Sequence, residues 1–432
     1  MCKRLFLLAT ALAGSWTHCL LQAEEPPNIV LIFADDVGRE VLGCYGGQSY
    51  STPNLDRLSQ RGVRFTNFHA APVCHASRIM LMTGNYPSRY RFPKWGSYPK
   101  NAETSSLANV LRQAGYATAI TGKWQLSMLR DDPQHPHRSG FDEYSLFGWH
   151  EGPRFWSPLI WQNGQQRQDT TGKFGPDEYV RYLTDFMKRN RERPFFALYS
   201  MALCHAVSDD FLPRPPHGPK GRYMHYAEMV EEMDRRVGQI VDAIREQGLE
   251  KRTLVFFTTD NGTTRTNFIR HEGKKLINDR QTVSKFRGRE IVGAKTRFTD
   301  WGIRVPTLAV WPGKLEPGTT SEALGDLTDL LPTFAELAGS QPPGKLDGKS
   351  FAPLLRGRAE SGPRQWVCVQ NGRLSCVKDN RWKLISDGRL YDLHADRDEK
   401  KPIRTSDDDA LSRAARSRLT TIQKQILQPL QP

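Results

Sequence analysis

Long apolar runs, separated by stretches in which apolar residues recur at helical spacing, dominate the pattern of this chain. The runs are rich in β-branched and aromatic residues and show no polar alternation, which is typical of strands buried on both faces of a parallel sheet. They cover Asn28–Ala34, Ala117–Thr121, Pro194–Ser200, Thr253–Thr259 and Thr307–Trp311. Strands that alternate with helices predict an α/β fold, with a mostly parallel central sheet and helices on both faces.

Helices are predicted between these strands, where end signals accompany the helical spacing. The first follows Thr52, a candidate N-cap with Pro53 in the first turn, and closes at Gly62. Val63–His69 then returns as a strand, and a helix begins near Cys74. Further helices are expected at Ser105–Ala114, Asp177–Asn190, Tyr223–Gln247 and Leu327–Leu337.

Two regions depart from this alternation. Asp131–Gly175 is rich in Pro, Gly, Trp and His without periodicity, so we expect a long surface excursion that could shape a substrate cleft. From residue 341 onward short strands prevail, which predicts a small antiparallel sheet with a closing helix. These segments are Trp366–Val369, Arg373–Val377, Trp382–Ile385, Arg389–Leu393 and, for the helix, Ala410–Leu427. We therefore divide the chain into a large α/β domain at 24–340 and a small C-terminal α+β domain at 341–432.

Cysteine usage leaves one question open. Cys368 and Cys376 flank Asn371-Gly372, which is a hairpin signal, so the two thiols could face each other across two strands. A disulfide there suits an oxidising compartment, but spacing alone does not establish it.

Residues 1–23 have the features of a secretory signal peptide. Lys3 and Arg4 precede the apolar run Leu5–Gly14, and Ala23 is the small residue after which we expect cleavage. The run is too short to span a bilayer, and no later stretch reaches about 18 consecutive apolar residues. We expect an exported protein, periplasmic or secreted, without a stable membrane anchor.

The chain is strongly basic, with a formal charge of +14 that becomes +12 when the signal peptide is removed. A basic exported protein favours anionic partners such as sulfated glycans or membrane surfaces, although solubility alone explains the charge equally well. There is no lysine-rich arm and no zinc or helix-turn-helix spacing, so we do not expect a nucleic acid partner.

Acidic and amide side chains follow two of the predicted strands at the point where each strand ends. Asp35 and Asp36 come directly after the first strand, and Asp260 and Asn261 directly after Thr253–Thr259. Ligands of open α/β sheets bind outside the carboxyl ends of the strands, so we expect these side chains to meet at one edge. Oxygen donors alone suit a hard cation, Ca²⁺ or Mg²⁺, rather than zinc.

A thiol and several cations indicate the chemistry at this edge. Cys74 and Arg78 are four residues apart where a helix begins, so they share a helix face near N–H groups that bind anions. Taken alone, a buried structural cysteine and a reactive one fit this pattern equally well. Lys123, His205 and Lys295 are further candidates for binding an anion. Together with the metal ligands they predict a metal-assisted site for a tetrahedral oxyanion ester.

In their order along the chain, these motifs resemble the type I sulfatases of the alkaline phosphatase superfamily. The likeness runs from Asn28 to about Asp398, and the Cys74–Arg78 segment resembles the sulfatase signature. The other matching segments are Asn28–Gly38, Thr52–Asp56, Gly122-Lys123-Trp124, Thr259–Gly262, Lys295, Trp301–Pro306, Asp347–Phe351 and Tyr391-Asp392-Leu393. The resemblance implies a sulfatase catalytic domain over residues 24–340.

The resemblance also implies a mechanism, in which a maturation enzyme oxidises Cys74 to formylglycine. The hydrated aldehyde would attack sulfur, while Arg78, Lys123 and Lys295 stabilise the developing charge. His205 would contact the sulfate or protonate the leaving alkoxide. The residues that would hold Ca²⁺, with Mg²⁺ as second choice, are Asp35, Asp36, Asp260, Asn261 and the modified Cys74.

Two positions depart from the family pattern. Ala76 replaces the proline of Cys-x-Pro-x-Arg, which bears on the maturation enzyme that accepts the chain. Gln125 stands where the family commonly has histidine, and an amide cannot take a proton near neutral pH. His75 or His150 could supply the base, and His150 could instead bind substrate. His205 also lacks its usual flanking prolines.

The expected substrates are sulfate esters, on sugars or polysaccharides or as aryl sulfates. The basic charge and the aromatic-rich Phe147–Trp161 region motivate the sugar expectation. Two alternatives remain. One is a phosphomonoester, phosphodiester or phosphonate hydrolase of the same superfamily. The other is a catalytically silent protein that binds sulfated glycans, which Gln125 and Ala76 motivate.

Overall fold

The computed structural model describes residues 25–148, 151–205, 225–266, 268–272, 275–278 and 281–428. The helices are α1 (Pro53–Gln60), α2 (Cys74–Thr83), α3 (Leu107–Gln113), α4 (His135–Arg138), α5 (Gly175–Arg189), α6 (Tyr226–Glu246), α7 (Asp300–Ile303), α8 (Leu330–Leu337), α9 (Ala352–Leu355) and α10 (Ala410–Ile426). The strands of the first half are β1 (Asn28–Ala34), β2 (Val63–Phe65), β3 (Phe68–His69), β4 (Ala117–Lys123), β5 (Glu143–Phe147), β6 (Trp161–Gln162), β7 (Gln165–Gln166), β8 (Phe195–Ser200) and β9 (Thr253–Thr259). Those of the second half are β10 (Phe268–Glu272), β11 (Lys275–Asn278), β12 (Val283–Phe286), β13 (Arg289–Val292), β14 (Thr307–Val310), β15 (Thr319–Ser321), β16 (Gly325–Asp326), β17 (Val367–Asn371), β18 (Leu374–Lys378), β19 (Trp382–Ile385) and β20 (Leu390–Asp392).

A ten-stranded sheet forms the centre of the molecule, in the order β15-β2-β14-β9-β1-β8-β4-β5-β6-β7. β9, β1, β8, β4 and β5 are parallel neighbours, whereas β14 is antiparallel to both β9 and β2. β1 lies in the middle, with Val30 between Ala197 of β8 and Val255 of β9. The predicted α/β fold with a mostly parallel sheet is confirmed.

Helices cover both faces of this sheet, as the pleat of β1 requires. Ile29, Leu31 and Phe33 point into one hydrophobic core, which also contains apolar residues of α2, α3 and α8. The alternate residues Val30 and Ile32 point into a second core, which contains apolar residues of α1, α5 and α6. Because both faces of β1 are covered, its sequence is apolar from Ile29 to Ala34.

The small antiparallel sheet predicted at the C-terminus is present, in the order β17-β18-β19-β20. Its β19 residue Lys383 is fully buried, and its ammonium donates to the carboxylates of Asp300 at 2.9 Å and Glu399 at 2.7 Å. This ion cluster attaches the sheet to α7, which follows closely after Lys295. The predicted domain boundary near residue 340 stays a prediction.

The disulfide left open by the sequence does not form. Cys368 lies opposite Val377, and Cys376 lies opposite Val369. Since adjacent residues of a strand point to opposite faces, the two thiols lie on different sides of the sheet. Cys368 packs in the first core and Cys376 in a separate small cluster, and both are free thiols.

Three local predictions were wrong in part. The Asp131–Gly175 segment is not without regular structure, because its strand β5 pairs in parallel with β4 inside the central sheet. Glu143 and Ser145 interrupt the apolar residues of β5, so it lacks the continuous apolar run by which the other strands of this sheet were predicted. Val63–His69 divides into β2 and β3, of which β3 pairs with β16. Thr52 is the N-cap residue of α1, as predicted, but its hydroxyl makes no capping hydrogen bond and instead accepts from the N–H of Gly43 at 3.0 Å.

The predicted signal peptide, residues 1–23, lies outside the described residues. Among those that the structure describes, no helix combines the length and the apolar character needed to cross a membrane.

Candidate active site

The candidate site lies at the carboxyl ends of four adjacent parallel strands, β9, β1, β8 and β4. Asp35 and Asp36 follow β1, Asp260 follows β9, Lys123 ends β4, and the chain after β8 leads to His205. All five residues are buried. The predicted convergence at one edge of the sheet is therefore observed.

Two of the predicted site residues at this edge have an unusual backbone conformation. Asp36 has φ = 59° and Gln125 has φ = 62°, both in the left-handed region. The ends of the strands are joined by main-chain hydrogen bonds, because Asp35 donates its N–H to Leu203 O at 2.9 Å and Asp260 to Ala34 O at 3.1 Å. Unfavourable φ values of this kind concentrate at functional sites, where surrounding contacts hold them.

Each of the three carboxylates is paired with a cation. The Lys123 ammonium contacts Asp35, and the Lys295 ammonium lies 2.6 Å from Asp36 Oδ1. Arg78 Nη2 lies 3.4 Å from Asp260 Oδ2. The predicted anion-binding cations and the predicted metal ligands are thus parts of one ionic cluster.

Burial and mutual repulsion shift the pKa values of these carboxyls apart. Burial raises the pKa of Asp260 to about 8, and the adjacent Asp35 carboxylate adds to the rise. Burial likewise raises the pKa of Asp36. Burial alone would also raise the pKa of Asp35, but Lys123 and the neighbouring cations outweigh it and hold this pKa below its usual value. A bound divalent cation would favour the ionised form of all three carboxyls.

The donor atoms at this edge fit such a cation. The Oδ1 atoms of Asp35 and Asn261 are buried and have no hydrogen-bond partner within the described part of the chain. Ligand atoms of Asp35, Asp36 and His205 lie within 4.8 Å of one another. The oxygens match the preference of a hard cation. Asn261 Nδ2 donates to Asp36 Oδ1 at 2.7 Å, which directs its oxygen elsewhere.

Cys74 is the first residue of α2, as predicted, and it is buried. Gln125 Nε2 donates to its Sγ at 3.0 Å, while Gln125 Oε1 has no partner among the described residues. One turn later in α2, Arg78 donates to the Lys123 carbonyl at 3.2 Å and to the Ser200 hydroxyl. These contacts fix the guanidinium on the same side of the helix as the thiol. Ser200 is a contributor that sequence reasoning missed.

His75 and His150 are the two alternative bases that the sequence suggested. His75 Nε2 donates to the Ser97 carbonyl at 2.8 Å, and burial lowers the pKa of His75. This nitrogen is occupied in positioning the start of α2, which favours a structural role for His75. His150 lies outside the described residues.

Arg154 is the most important residue that sequence reasoning missed. It is fully buried, and its Nη1 lies 3.2 Å from His205 Nδ1. A guanidinium can only donate, so His205 Nδ1 must accept and the ring proton is assigned to Nε2. Burial, together with Lys295 and Lys123, holds the pKa of His205 well below its usual value, so the ring is neutral.

Cys74, Gln125, His205 and Lys295 line one cavity of about 440 Å³. The cavity is large enough for a sugar or aryl group beside the reacting atoms. A potential nucleophile, cations and paired carboxylates at the base of such a cavity can stabilise negative charge that develops on a bound oxyanion.

Comparison with known proteins agrees with this chemistry. The family model "Sulfatase" matches residues 27–340. A second model, "N-sulphoglucosamine sulphohydrolase, C-terminal", matches residues 295–425. The chain therefore belongs to the sulfatase family, within the alkaline phosphatase-like superfamily, and is a sulfuric ester hydrolase. The resemblance inferred from the motifs is confirmed.

Individual relatives support the assignment over most of the chain. Arylsulfatase A of Bos taurus is 35% identical over 395 residues, which are 83% of this chain and 72% of the relative. N-acetylgalactosamine-6-sulfatase of Homo sapiens is 33% identical over 380 residues, which are 79% of this chain and 68% of the relative. The crystal structure of Ps i-CgsB has a TM-score of 0.73 at 25% identity and covers 93% of both chains.

Proposed function

We propose that this enzyme removes sulfate from sulfated carbohydrates, using a formylglycine made from Cys74 and a bound Ca²⁺. The observation that carries the proposal is that position 74 opens into the same cavity as His205 and Lys295, next to the ionic cluster. The names of relatives support a sugar substrate, since one is an N-acetylgalactosamine-6-sulfatase and the C-terminal family model refers to N-sulphoglucosamine.

The residues of the chain divide the work as follows. Position 74 would carry the formylglycine. When hydrated, it would supply one hydroxyl to attack sulfur as the S–O bond to the alcohol breaks, and a second hydroxyl whose deprotonation would re-form the aldehyde and release sulfate. Lys295, Lys123 and Arg78 stabilise the negative charge that develops on the sulfate oxygens and the nucleophile. Gln125 holds the side chain at position 74 by the hydrogen bond from its Nε2. Gln125 cannot accept the proton of the nucleophile, so that proton leaves to another acceptor.

His205 acts as a hydrogen-bond donor in this proposal. Its ring is neutral with the proton on Nε2, and a neutral imidazole is a far weaker acid than an imidazolium. We therefore assign to it a hydrogen bond to the sulfate or to the bridging oxygen, and not the transfer of a proton to the leaving alkoxide. Asp35, Asp36, Asp260 and Asn261 would hold Ca²⁺, which supplies Lewis-acid stabilisation of the oxygens on sulfur.

Coexpression with a formylglycine-generating enzyme tests the proposal. Mass spectrometry of the peptide that contains Cys74 should show conversion of thiol to aldehyde, and the matured enzyme should release sulfate from at least one monosulfated sugar. The Cys74→Ala variant should fold normally and be inactive. An unmodified thiol together with no sulfate release from a panel of sulfated sugars would contradict the proposal.

Two other functions are separated by the same preparation. Faster turnover of an aryl phosphate or phosphonate than of an aryl sulfate would favour the phosphate or phosphonate hydrolase. Tight binding of sulfated glycans without turnover, unchanged in Cys74→Ala, would favour the silent binding protein, for which Ala76 and Gln125 are the motivating departures.

The location of the enzyme is also a proposal. Residues 1–23 resemble a signal peptide, so we propose a periplasmic or secreted enzyme. N-terminal sequencing of the exported protein should find a start just after Ala23. Recovery of the full-length chain from the cytoplasm would contradict export.

A further inference from the structure

The cavity that contains Cys74 and Lys295 is also lined by residues that belong neither to the ionic cluster nor to α2. One wall follows α2 and contains Phe92, Pro93 and Trp95, and the indole of Trp95 is 47% exposed. The end of β17 also lines the cavity, through Gln370 and Asn371. An exposed indole and amide side chains around one cavity are typical of a site that binds a ligand with one apolar face and polar edges.

Gln370 carries a hydrogen-bond donor without a partner. Its side chain is 1% exposed, and its Oε1 accepts from the backbone N–H of Ser88 at 2.8 Å. That contact fixes the orientation of the amide, because only the oxygen can accept. The Nε2 group has no hydrogen-bond partner within the described residues. A buried donor left unpaired is unfavourable, so the position fits a ligand acceptor that enters the cavity.

Hydrogen bonds connect the end of β17, which contains Gln370, to the segment that contains Lys295. Asn371 Nδ2 donates to the carbonyl of Thr296 at 3.2 Å, and Thr296 adjoins Lys295 in the chain. Thr296 in turn donates its N–H to Pro72 O at 2.8 Å, close to Cys74. The distance between Lys295 and the Gln370 donor is therefore held constant, so a ligand whose sulfate binds Lys295 would have to present its acceptor at that distance.

We propose that Gln370 and Trp95 select the group that carries the sulfate, and that this group is a pyranose. The C–H face of a pyranose carries slight positive charge and stacks on the π face of an indole. A hydroxyl, ring or acetamido oxygen on the same sugar accepts the hydrogen bond of Gln370 Nε2. A simple aryl group can stack on Trp95 but offers no acceptor at that position. The inference rests on the proposed sulfatase function and adds to it the two residues that recognise the sugar ring.

The test compares a sugar with an aryl sulfate in the same variant. The measured quantity is kcat/KM for the best monosulfated hexose or N-acetylhexosamine of a panel, divided by kcat/KM for phenyl sulfate. Gln370→Met keeps the length of the side chain but removes both the Nε2 donor and the Oε1 that accepts from Ser88. The lost Ser88 contact affects both substrates alike, whereas the lost donor should lower the ratio roughly tenfold. Gln423→Met is the matched control, because Gln423 is also buried but its Nε2 already donates to the Ser375 hydroxyl at 2.9 Å. This control should lower thermal stability and leave the ratio within about twofold of wild type.

Binding supplies a second readout that needs no turnover. In a Cys74→Ser background, isothermal titration calorimetry with the same sulfated sugar should show roughly tenfold weaker binding for both Gln370→Met and Trp95→Ala. An unchanged ratio and unchanged affinity in Gln370→Met would overturn the inference, as would hydrolysis of phenyl sulfate with no sugar accepted. Absence of turnover on every sulfate ester would instead contradict the proposed function, while the calorimetry would still decide the sugar subsite.

Discussion

Replacing Arg154 by methionine tests how the site controls the proton on His205. Arg154 is buried, with its guanidinium carbon 5.3 Å from the centre of the Phe147 ring and its Nη1 3.2 Å from His205 Nδ1. Methionine keeps an unbranched apolar stem against the ring and removes the donor. Nδ1 of His205 is then free to carry the ring proton, which would leave Nε2 as a lone pair facing the cavity.

The expected loss follows from the strength of that contact. A hydrogen bond with one charged partner contributes about 1.5–3 kcal/mol. If the contribution is realised only in the transition state, kcat/KM for phenyl sulfate should fall between about 10-fold and 100-fold. The pKa of His205 lies well below its usual value because of burial, Lys295 and Lys123, so near pH 7 the variant differs in tautomer more than in charge.

Two measurements check the reasoning. Steady-state kinetics of matured wild type, Arg154→Met and Arg154→Lys should show a partial rescue by lysine, which can still donate one hydrogen bond to Nδ1. Nitrogen NMR of histidine-labelled protein should place the His205 proton on Nε2 in wild type. A methionine variant within threefold of wild-type kcat/KM, or a wild-type ring protonated on Nδ1, would refute the assigned role of Arg154.

Three further predictions concern other parts of the fold and site. Gly122→Ala should lower the free energy of unfolding by about 2–5 kcal/mol in chemical denaturation, since a Cβ would lie 2.0 Å from the Ser200 carbonyl at φ = 94°. Gly115→Ala, at φ = 87° with nothing within 4 Å, should lower it by only about 1–2 kcal/mol. Lys383→Met should lower it by about 3–5 kcal/mol, because the buried Glu399 carboxylate loses its ammonium partner and Asp300 keeps only Lys378 and Arg304. Lys400→Met, at a side chain 75% exposed, should change it by less than about 1 kcal/mol. Residue 125 has φ = 62°, which a histidine tolerates, so Gln125→His should fold normally. The variant should raise kcat roughly tenfold or more, and kcat should rise with pH near the histidine pKa. An unchanged kcat would show that proton removal from the nucleophile does not limit the rate.

The sequence predicted the centre of the fold and the meeting of distant residues because both depend on strong local patterns. An apolar run such as Asn28–Ala34 reads as a buried strand, and the polar residues that follow it must lie at the carboxyl edge. Parallel strands bring such edges together, so Asp35 and Asp260 become neighbours although they are far apart in sequence. The positions of these residues relative to the predicted strands were therefore sufficient to predict that they meet.

Residues whose role depends on tertiary packing could not be predicted. Arg154 lies in a stretch without periodicity, and only the position of β5 beside β4 places its guanidinium against His205. Gln370 lies on a C-terminal strand whose own pattern indicates a sheet and nothing more. Its role in the cavity arises because Asn371 contacts Thr296, a long-range contact with no signature in either segment.

The charges of the site bear on the choice between sulfate and phosphate esters. A divalent cation would keep all three carboxyls ionised, and the pairs Asp35–Lys123, Asp36–Lys295 and Asp260–Arg78 would then each be neutral. The two charges of a divalent cation would then match a sulfate monoester, with one negative charge, plus a deprotonated nucleophile. A phosphate monoester would bring one negative charge more and leave the transition state without full compensation. Phosphodiesters and phosphonate monoesters carry the same charge as sulfate esters, so charge disfavours only the phosphomonoester, and we expect matured enzyme to hydrolyse phenyl sulfate faster than phenyl phosphate.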